Sequence, residues 1–405
     1  MYTGYMKKIV KPENKTRLLI LLILMLSLFI AMIPIFVQGS TKKNDNLNQS
    51  VSVPQKPQPL KEPRIAVSTV VEGLKNPWDI VFLPDGTPAV SERSGQISLI
   101  KDGTLTKIAS ISDIYATGEG GLTGMSLDTD FESNRYIYTC FNAKNRDVID
   151  VRLVRWTVAA DNSGFNDRKD VITGIPSNKS GRHSGCRVRS ESDGTLWVGT
   201  GDAATASNPQ DPKSLGGKIL HVSREGASVE GNLAAPFDQR IFSYGHRNVQ
   251  GLALFDTPKD GAHGFSIEHG SDVDDEVNLL KPGNFGWAPK SPYIEGGVPM
   301  TDKHRFPDAV EAIWSSGTST IAPSGATILK GEQWGSWNGS LAMAVLKDKH
   351  VRILSFDKNY KILAEKPILG EFGRVRSATL DPEGALYLTT DNKLNDKVIK
   401  VEANQ

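Results

Sequence analysis

The side chains best able to do chemistry sit in short polar segments between apolar runs. SGRHSGCRVR at 180–189 sets His183 among small residues, just before a strand-like run. The next run ends in GTGD at Asp202. If the hairpin folds back, that carboxylate reaches the imidazole, orients it and stabilises its protonated form, as a general base requires. A surface-loop histidine and an ordinary turn aspartate account for the same residues, so the pair alone defines no site. YGHRNVQGL at 244–252 holds Arg247 and Asn248 between two strand-like runs. Lys347 follows an apolar strand, and Arg374 and Arg376 flank Val375, so in a strand the two arginines point the same way. Cations gathered in one place repel unless a polyanion sits among them, so their convergence would call for a ligand with several carboxylates. HGSDVDDEVNLLKPGNFGWA at 269–288 supplies Asp272, Asp274, Asp275 and Glu276, hard oxygen donors of the kind calcium prefers. The offsets are not those of an EF-hand, and a solvated acidic turn explains them equally well.

These segments need a scaffold that brings loop residues from distant points together. From about residue 64 onward no stretch keeps a helical apolar period for three turns. Instead an Asp/Pro/Gly turn followed by four to six alternating or β-branched residues recurs. It reads LPDGTPAVSER at 83–93, SDGTLWVGTGD at 192–202 and DPEGALYLTTD at 381–391, with weaker copies at 128–141, 256–270 and 335–356. A spacing of about 55 residues is that of a propeller or solenoid. The expected fold is all-β, a six-bladed β-propeller over 64–405, with IAVSTVV at 65–71 and KVIKVE at 397–402 sharing one blade and closing the ring. Loops around the central channel would then carry the function.

Composition narrows the partners. Lys+Arg number 47 against 46 Asp+Glu, a balance that argues against nucleic-acid binding. Residues 1–17 are basic, and 18–37 read LLILLILMLSLFIAMIPIFV, long enough to span a bilayer. We expect a transmembrane helix or signal peptide over 18–38, the basic segment in the cytoplasm, a flexible linker over 39–63 and the propeller outside the membrane, tethered or secreted. Cys140 and Cys186 are the only cysteines. An exported chain permits them to pair, but they fall in different expected blades, and the demanding geometry weighs against a bond.

The motifs together resemble the soluble aldose sugar dehydrogenases, the glucose/sorbosone type of quinoprotein. NPWDIVFLPDG at 76–86, GEGGLTGMSLDTDF at 118–131, HSGCR, VGTGD, YGHRNVQGL, the DDEVNLLKPGNFGW run and GRVRSATLDPEG follow in family order. The resemblance spans about 66 to 402 and implies a six-bladed propeller binding pyrroloquinoline quinone and calcium. It implies oxidation of an aldose at the anomeric hydroxyl to a lactone, with hydride passing to the quinone. His183 is similar to the family's base and Asp202 to the carboxylate that orients it. Arg247 and Asn248 match residues at the quinone carbonyls, and Lys347, Arg374 and Arg376 match the cofactor-binding cations. Glu119 stands where some relatives have Gln. The carbonyls of Gly270 and Ser271 match ligands of the calcium on the cofactor, and Glu276 with the carbonyl of Phe285 resembles a second, structural calcium site. Ser271 stands for the usual Pro, Thr123 for Leu, Asp128-Thr129 for His-Pro, Phe285 for Tyr and Cys186 for Gly, which bears on substrate preference and cofactor affinity. The chain lacks a CxxCH haem motif, so a separate quinone, cytochrome or dye must accept the electrons. Two other functions compete: a non-catalytic binding module, and a calcium-dependent lactonase-like hydrolase.

Overall fold

The computed structural model describes residues 60–404; the apolar segment 18–37 and all but the end of the 39–63 linker lie outside the described residues. Among the described residues no helix is long and apolar enough to cross a membrane.

Strand β1 (Arg64–Leu74) precedes a first four-stranded blade of β2 (Pro77–Phe82), β3 (Pro88–Glu92), β4 (Gln96–Lys101) and β5 (Thr104–Ser110). The second blade is β6 (Leu122–Leu127), β7 (Tyr136–Asn145), β8 (Val148–Val158) and β9 (Phe165–Ile175). The third is β10 (Gly185–Ser190), β11 (Leu196–Thr200), β12 (Lys218–Val222) and β13 (Ile241–Tyr244). The fourth begins with β14 (Val249–Lys259), β15 (Ala262–Glu268) and β16 (Glu276–Leu279). A short β17 (Gly283–Asn284) returns to pair in parallel with β13, and only after a long loop does β18 (Trp314–Ser315) complete the fourth blade. The fifth is β19 (Pro323–Ile328), β20 (Leu341–Val345), β21 (His350–Phe356) and β22 (Ile362–Ile368). The sixth contains β23 (Val375–Leu380), β24 (Leu386–Thr390) and β25 (Asp396–Asn404), and its outer strand is β1.

The six repeat copies read from the sequence each fall at one structural position, the connection between the first and second strands of a blade. The expected closure also holds, with β1 antiparallel to β25 and Val67 opposite Val401.

Hydrophobic burial explains why second strands such as β20 and the first half of β11 are apolar on both faces. In β20, Leu341, Met343 and Val345 pack into the core against the fourth blade. Ala342 and Ala344 on the same strand face the sixth. A period-two strand between two neighbours must be apolar on both faces. Leu196 and Val198 of β11 likewise face the second blade, while Trp197 between them faces the fourth. One apolar cluster fills each interface, including that between the sixth and first blades, where Val71, Leu74, Tyr387 and Val398 meet Ile80, Val90 and Ile100.

Two cross-links reinforce the ring. The carboxylate of Asp79 on β2 is fully buried and lies 2.7 Å from Arg187 Nη1 and 2.9 Å from Arg189 Nη1 on β10, tying the first blade to the third. Burial pushes the Asp79 carboxyl up, but the two guanidinium charges outweigh it and hold the group below its usual range. The second link corrects the expectation for the cysteines: Cys140 of β7 and Cys186 of β10 form a disulfide, with Cα atoms 5.4 Å apart. They do lie in different blades, but those blades are adjacent and both side chains belong to the core between them.

The disulfide closes a sequence separation of 46 residues. Replacing both cysteines by alanine is expected to lower the unfolding free energy by about 4 kcal/mol from loop entropy. Guanidinium unfolding of the double variant beside the parent checks this; equal midpoints would contradict it.

Candidate active site

The chain enters β10 through His183, whose backbone has φ 51°. A left-handed conformation at a non-glycine residue turns the chain sharply and is held only by surrounding contacts. Here those contacts are close. A Cβ on Gly201, at the end of β11, would lie 1.8 Å from the His183 carbonyl oxygen, so only glycine lets the strand end meet the turn. Ala203 N donates to the same carbonyl.

This approach places Asp202 beside the imidazole. His183 Nδ1 lies 2.8 Å from Asp202 Oδ1, and both side chains are buried. Ala204 N also donates to Oδ1 at 2.7 Å, while Trp287 Nε1 and the Tyr293 hydroxyl each donate to Oδ2 at 2.8 Å. A carboxylate accepting four hydrogen bonds has no place for a proton of its own. The proton between the two groups therefore belongs to His183 Nδ1, and Nε2 keeps its lone pair, the tautomer a general base needs.

The loop after Asp202 is pinned by Lys218 on β12, whose buried ammonium donates to the carbonyls of Asn208 at 2.6 Å, Gly216 at 2.8 Å and Pro209 at 3.0 Å. Burial pulls this ammonium down to about 7.

Arg247 and Asn248, at the entry to β14, join the same group. Asp202 N donates to the Arg247 carbonyl at 2.8 Å. The Arg247 guanidinium donates from Nη2 and Nε to Glu295 Oε2, at 2.9 and 3.1 Å, and from Nη1 to the His269 carbonyl at 3.1 Å. Asn248 Oδ1 accepts from Gly185 N, and its Nδ2 donates to Glu119 Oε2 at 3.1 Å. Glu119 Oε2 also accepts from His183 N at 3.0 Å.

Glu119 lines a cavity of about 530 Å³, together with His269, Gln250, Trp78 and four cations, Arg93, Arg374, Arg376 and Lys393. Arg376 is buried, sits over the Trp78 ring at 3.8 Å and pairs with Asp391. Burial draws Arg376 down to about 10, against the pull of Asp391. Burial would raise Asp391 in turn, but Arg376 and Arg374 outweigh it and leave the carboxyl below its usual range. Arg374 donates from Nε to the Asp391 carbonyl at 3.0 Å and lies 3.7 Å from its carboxylate. One carboxylate is thus shared between two guanidiniums, and Arg93 and Lys393 add further positive charge. The excess of cations over carboxylates in its lining suits an anion with several carboxylates. A flat aromatic tricarboxylate such as pyrroloquinoline quinone fits this donor set and volume.

Lys347 stands apart. It is exposed, donates to Thr320 Oγ1 at 3.0 Å and is not among the cavity residues, although the preceding Leu346 is.

The acidic run divides into different roles. The buried Asp275 accepts from the backbone N–H groups of Gly270, Ile321 and Ala322, so its oxygens shape the cavity wall. A Cβ on Gly270 would meet the Val273 carbonyl at 1.8 Å. Among the described residues no cluster of three or more His, Cys, Asp or Glu side chains converges on a metal position. The carbonyls of Gly270 and Ser271 remain oxygen donors suited to calcium in kind. Glu276 fits a hard cation better. It is fully buried, and burial together with the neighbouring Glu268 raises its carboxyl well above the usual range. Asn278 Nδ2 bridges Glu268 and Glu276, while its Oδ1 is buried with no partner. Phe285 lies in the same region, stacked on His246 with centroids 4.5 Å apart, and His246 bonds Glu268 at 3.0 Å.

The sequence reading missed Tyr293, Glu295 and Trp287, all in the loop between β17 and β18, which carries no repeat signature. It also missed Arg93 and Asp391 as cavity residues. Here a signal was present, since Arg93, Asp202 and Asp391 each close a repeat copy.

The sequence profile of the glucose/sorbosone dehydrogenases matches residues 74–400. An uncharacterized protein of Synechocystis sp. is 30% identical over 374 residues, covering 84% of this chain and 87% of its own length. An aldose sugar dehydrogenase of Escherichia coli is 27% identical over 356 residues, 83% of this chain and 92% of that protein. The structure of a Streptomyces coelicolor aldose sugar dehydrogenase in its PQQ-bound form superposes with a TM-score of 0.67 at 30% identity, covering 84% of this chain and all of that one.

Asp391→Ala would leave Arg376 buried without its carboxylate. The expected cost is about 3 kcal/mol of stability, read from denaturant unfolding, and a loss within error of zero would show that the ion pair does not anchor this wall.

Proposed function

We propose a function on the premise that the chain belongs to the glucose/sorbosone dehydrogenase family, which the match over residues 74–400 establishes. The protein is a quinoprotein sugar dehydrogenase that oxidises the anomeric C1 hydroxyl of an aldose, giving the lactone. The observation that carries this is the buried His183–Asp202 pair, 2.8 Å apart, linked through Glu119 to a cation-lined cavity.

The residues divide the work. His183 Nε2 takes the proton of the C1 hydroxyl, and Asp202 stabilises the imidazolium that results. Arg93, Arg374, Arg376 and Lys393 hold the cofactor's carboxylates. Arg247 and Asn248 stand beside the base and orient the reacting groups. When bound, pyrroloquinoline quinone supplies the carbonyl that accepts the hydride, and calcium on the Gly270 and Ser271 carbonyls would polarise it. A second calcium at Glu276 and the Phe285 carbonyl would neutralise the buried carboxylates there. With no haem motif in the chain, the electrons pass to a separate acceptor. The basic start and the apolar run at 18–37 support a propeller tethered outside the cytoplasmic membrane.

The test is reduction of a dye by aldoses in protein supplied with the quinone and calcium. Activity should require both additions and fall by about 10²- to 10⁴-fold in His183→Ala. Tight quinone binding with no oxidation of any aldose would overturn the reaction proposed here.

The two candidate cations separate sequence from geometry. Arg376→Ala should weaken quinone binding by about 10-fold or more, and Lys347→Ala by no more than about 3-fold. Equal losses in fluorescence titrations would show that Lys347 reaches the cofactor after all.

A further inference from the structure

We propose that Tyr293 is a positioning residue for the His183–Asp202 pair and sets how strongly the imidazole holds a proton. The inference rests on the dehydrogenase function proposed above only for its kinetic consequence.

The geometry is specific. The Tyr293 hydroxyl has one proton, and Asp202 Oδ2 accepts it at 2.8 Å. The Tyr293 hydroxyl oxygen itself lies 3.0 Å from His183 Nδ1, and the two rings meet edge to face with centroids 5.9 Å apart. The phenol therefore touches both members of the pair. Burial, then the Asp202 charge, push its ionisation far upward, so it remains a donor at any working pH.

A clamp holds the phenol there. Lys290 and Ile294 form a bridge on either side of it. The next residue, Glu295, accepts from Arg247 and, at 2.6 Å, from Arg182 Nη2. Burial would raise the Glu295 carboxyl, but Arg247, with His183 and Arg182, holds it below its usual range. The anchor stays charged wherever the base is active.

The consequence follows from charge. Trp287 and Tyr293 both donate to Asp202 Oδ2 and draw negative charge from the carboxylate. A carboxylate so occupied stabilises an adjacent imidazolium less. The other charged groups facing His183 are Glu119, Glu295, Arg247 and Arg182, with Lys218 behind Asp202. Removing the phenol proton leaves all of these in place. It concentrates charge on Asp202, so His183 should hold its proton to higher pH.

The experiment uses the full-length chain without cofactor. Imidazole nitrogens are titrated by NMR, with the His183 signal assigned by its loss in His183→Gln. Tyr293→Phe keeps the ring, and its melting temperature reports folding. The His183 midpoint is expected to rise by about half to one pH unit. In the loaded enzyme the acid limb of kcat should move the same way, a change that mere loosening of the loop would not give. A folded Tyr293→Phe with an unmoved His183 midpoint overturns the proposal whatever the activity does. If that variant does not fold, Trp287→Phe decides, since it removes the other donor to Oδ2. Its midpoint should rise too, and an unmoved one overturns the proposal. A shifted midpoint in a protein that oxidises no aldose keeps the role of Tyr293 and overturns the dehydrogenase function instead.

Discussion

A buried carboxylate must be surrounded by donors, and Asp202 meets that demand with four groups from three separate places in the chain. His183 comes from the turn into β10, Ala204 from its own loop, and Trp287 and Tyr293 from the long loop before β18. An unpaired charge at this depth would cost several kcal/mol, so each donor is fixed as firmly as the charge is costly. The requirement spreads outward. Gly201 must be glycine for β11 to end against His183, and Lys218 must hold the following loop by three carbonyls. Fold and site are coupled here because the second strand of the third blade ends on the charge around which the site is assembled.

The cation-lined cavity obeys the same rule with the signs exchanged. Arg376 is buried beside Trp78, and Asp391 accompanies it. That carboxylate is shared with Arg374, which leaves net positive charge facing the cavity. A site satisfied in every pair would have nothing left to attract a polyanion. This one is balanced only in part, and its remaining charge is available to a ligand.

What the sequence revealed follows from what repeats. Turn chemistry recurs in each blade, so the six copies and the closing strands are legible in the sequence. His183, Asp202, Arg247 and Asn248 were legible because polar residues interrupt otherwise apolar surroundings. Tyr293 and Glu295 were not, since they lie beyond the family motif that ends at Trp287, in a stretch without period, and reach the site only through the folded chain. Lys347 shows the converse. It sits at a blade end as the other cations do, yet its side chain bonds Thr320 and stays exposed. Position along a strand does not determine where a long, flexible side chain points. The cysteine pairing was not legible because sequence does not supply the distance between two blades, whereas these neighbouring blades pack face to face at side-chain distance.

The pairing of β1 with β25 joins the earliest strand of the propeller to its last. A ribosome delivers these two strands at opposite ends of synthesis. Until β25 emerges, β1 has no partner, and the apolar residues Val71 and Leu74 lack the sixth-blade half of the core they later fill. The ring therefore cannot close before β25 has been made. Anything that shields or occupies β1 during that interval governs whether the ring closes on itself or on the strand of another chain.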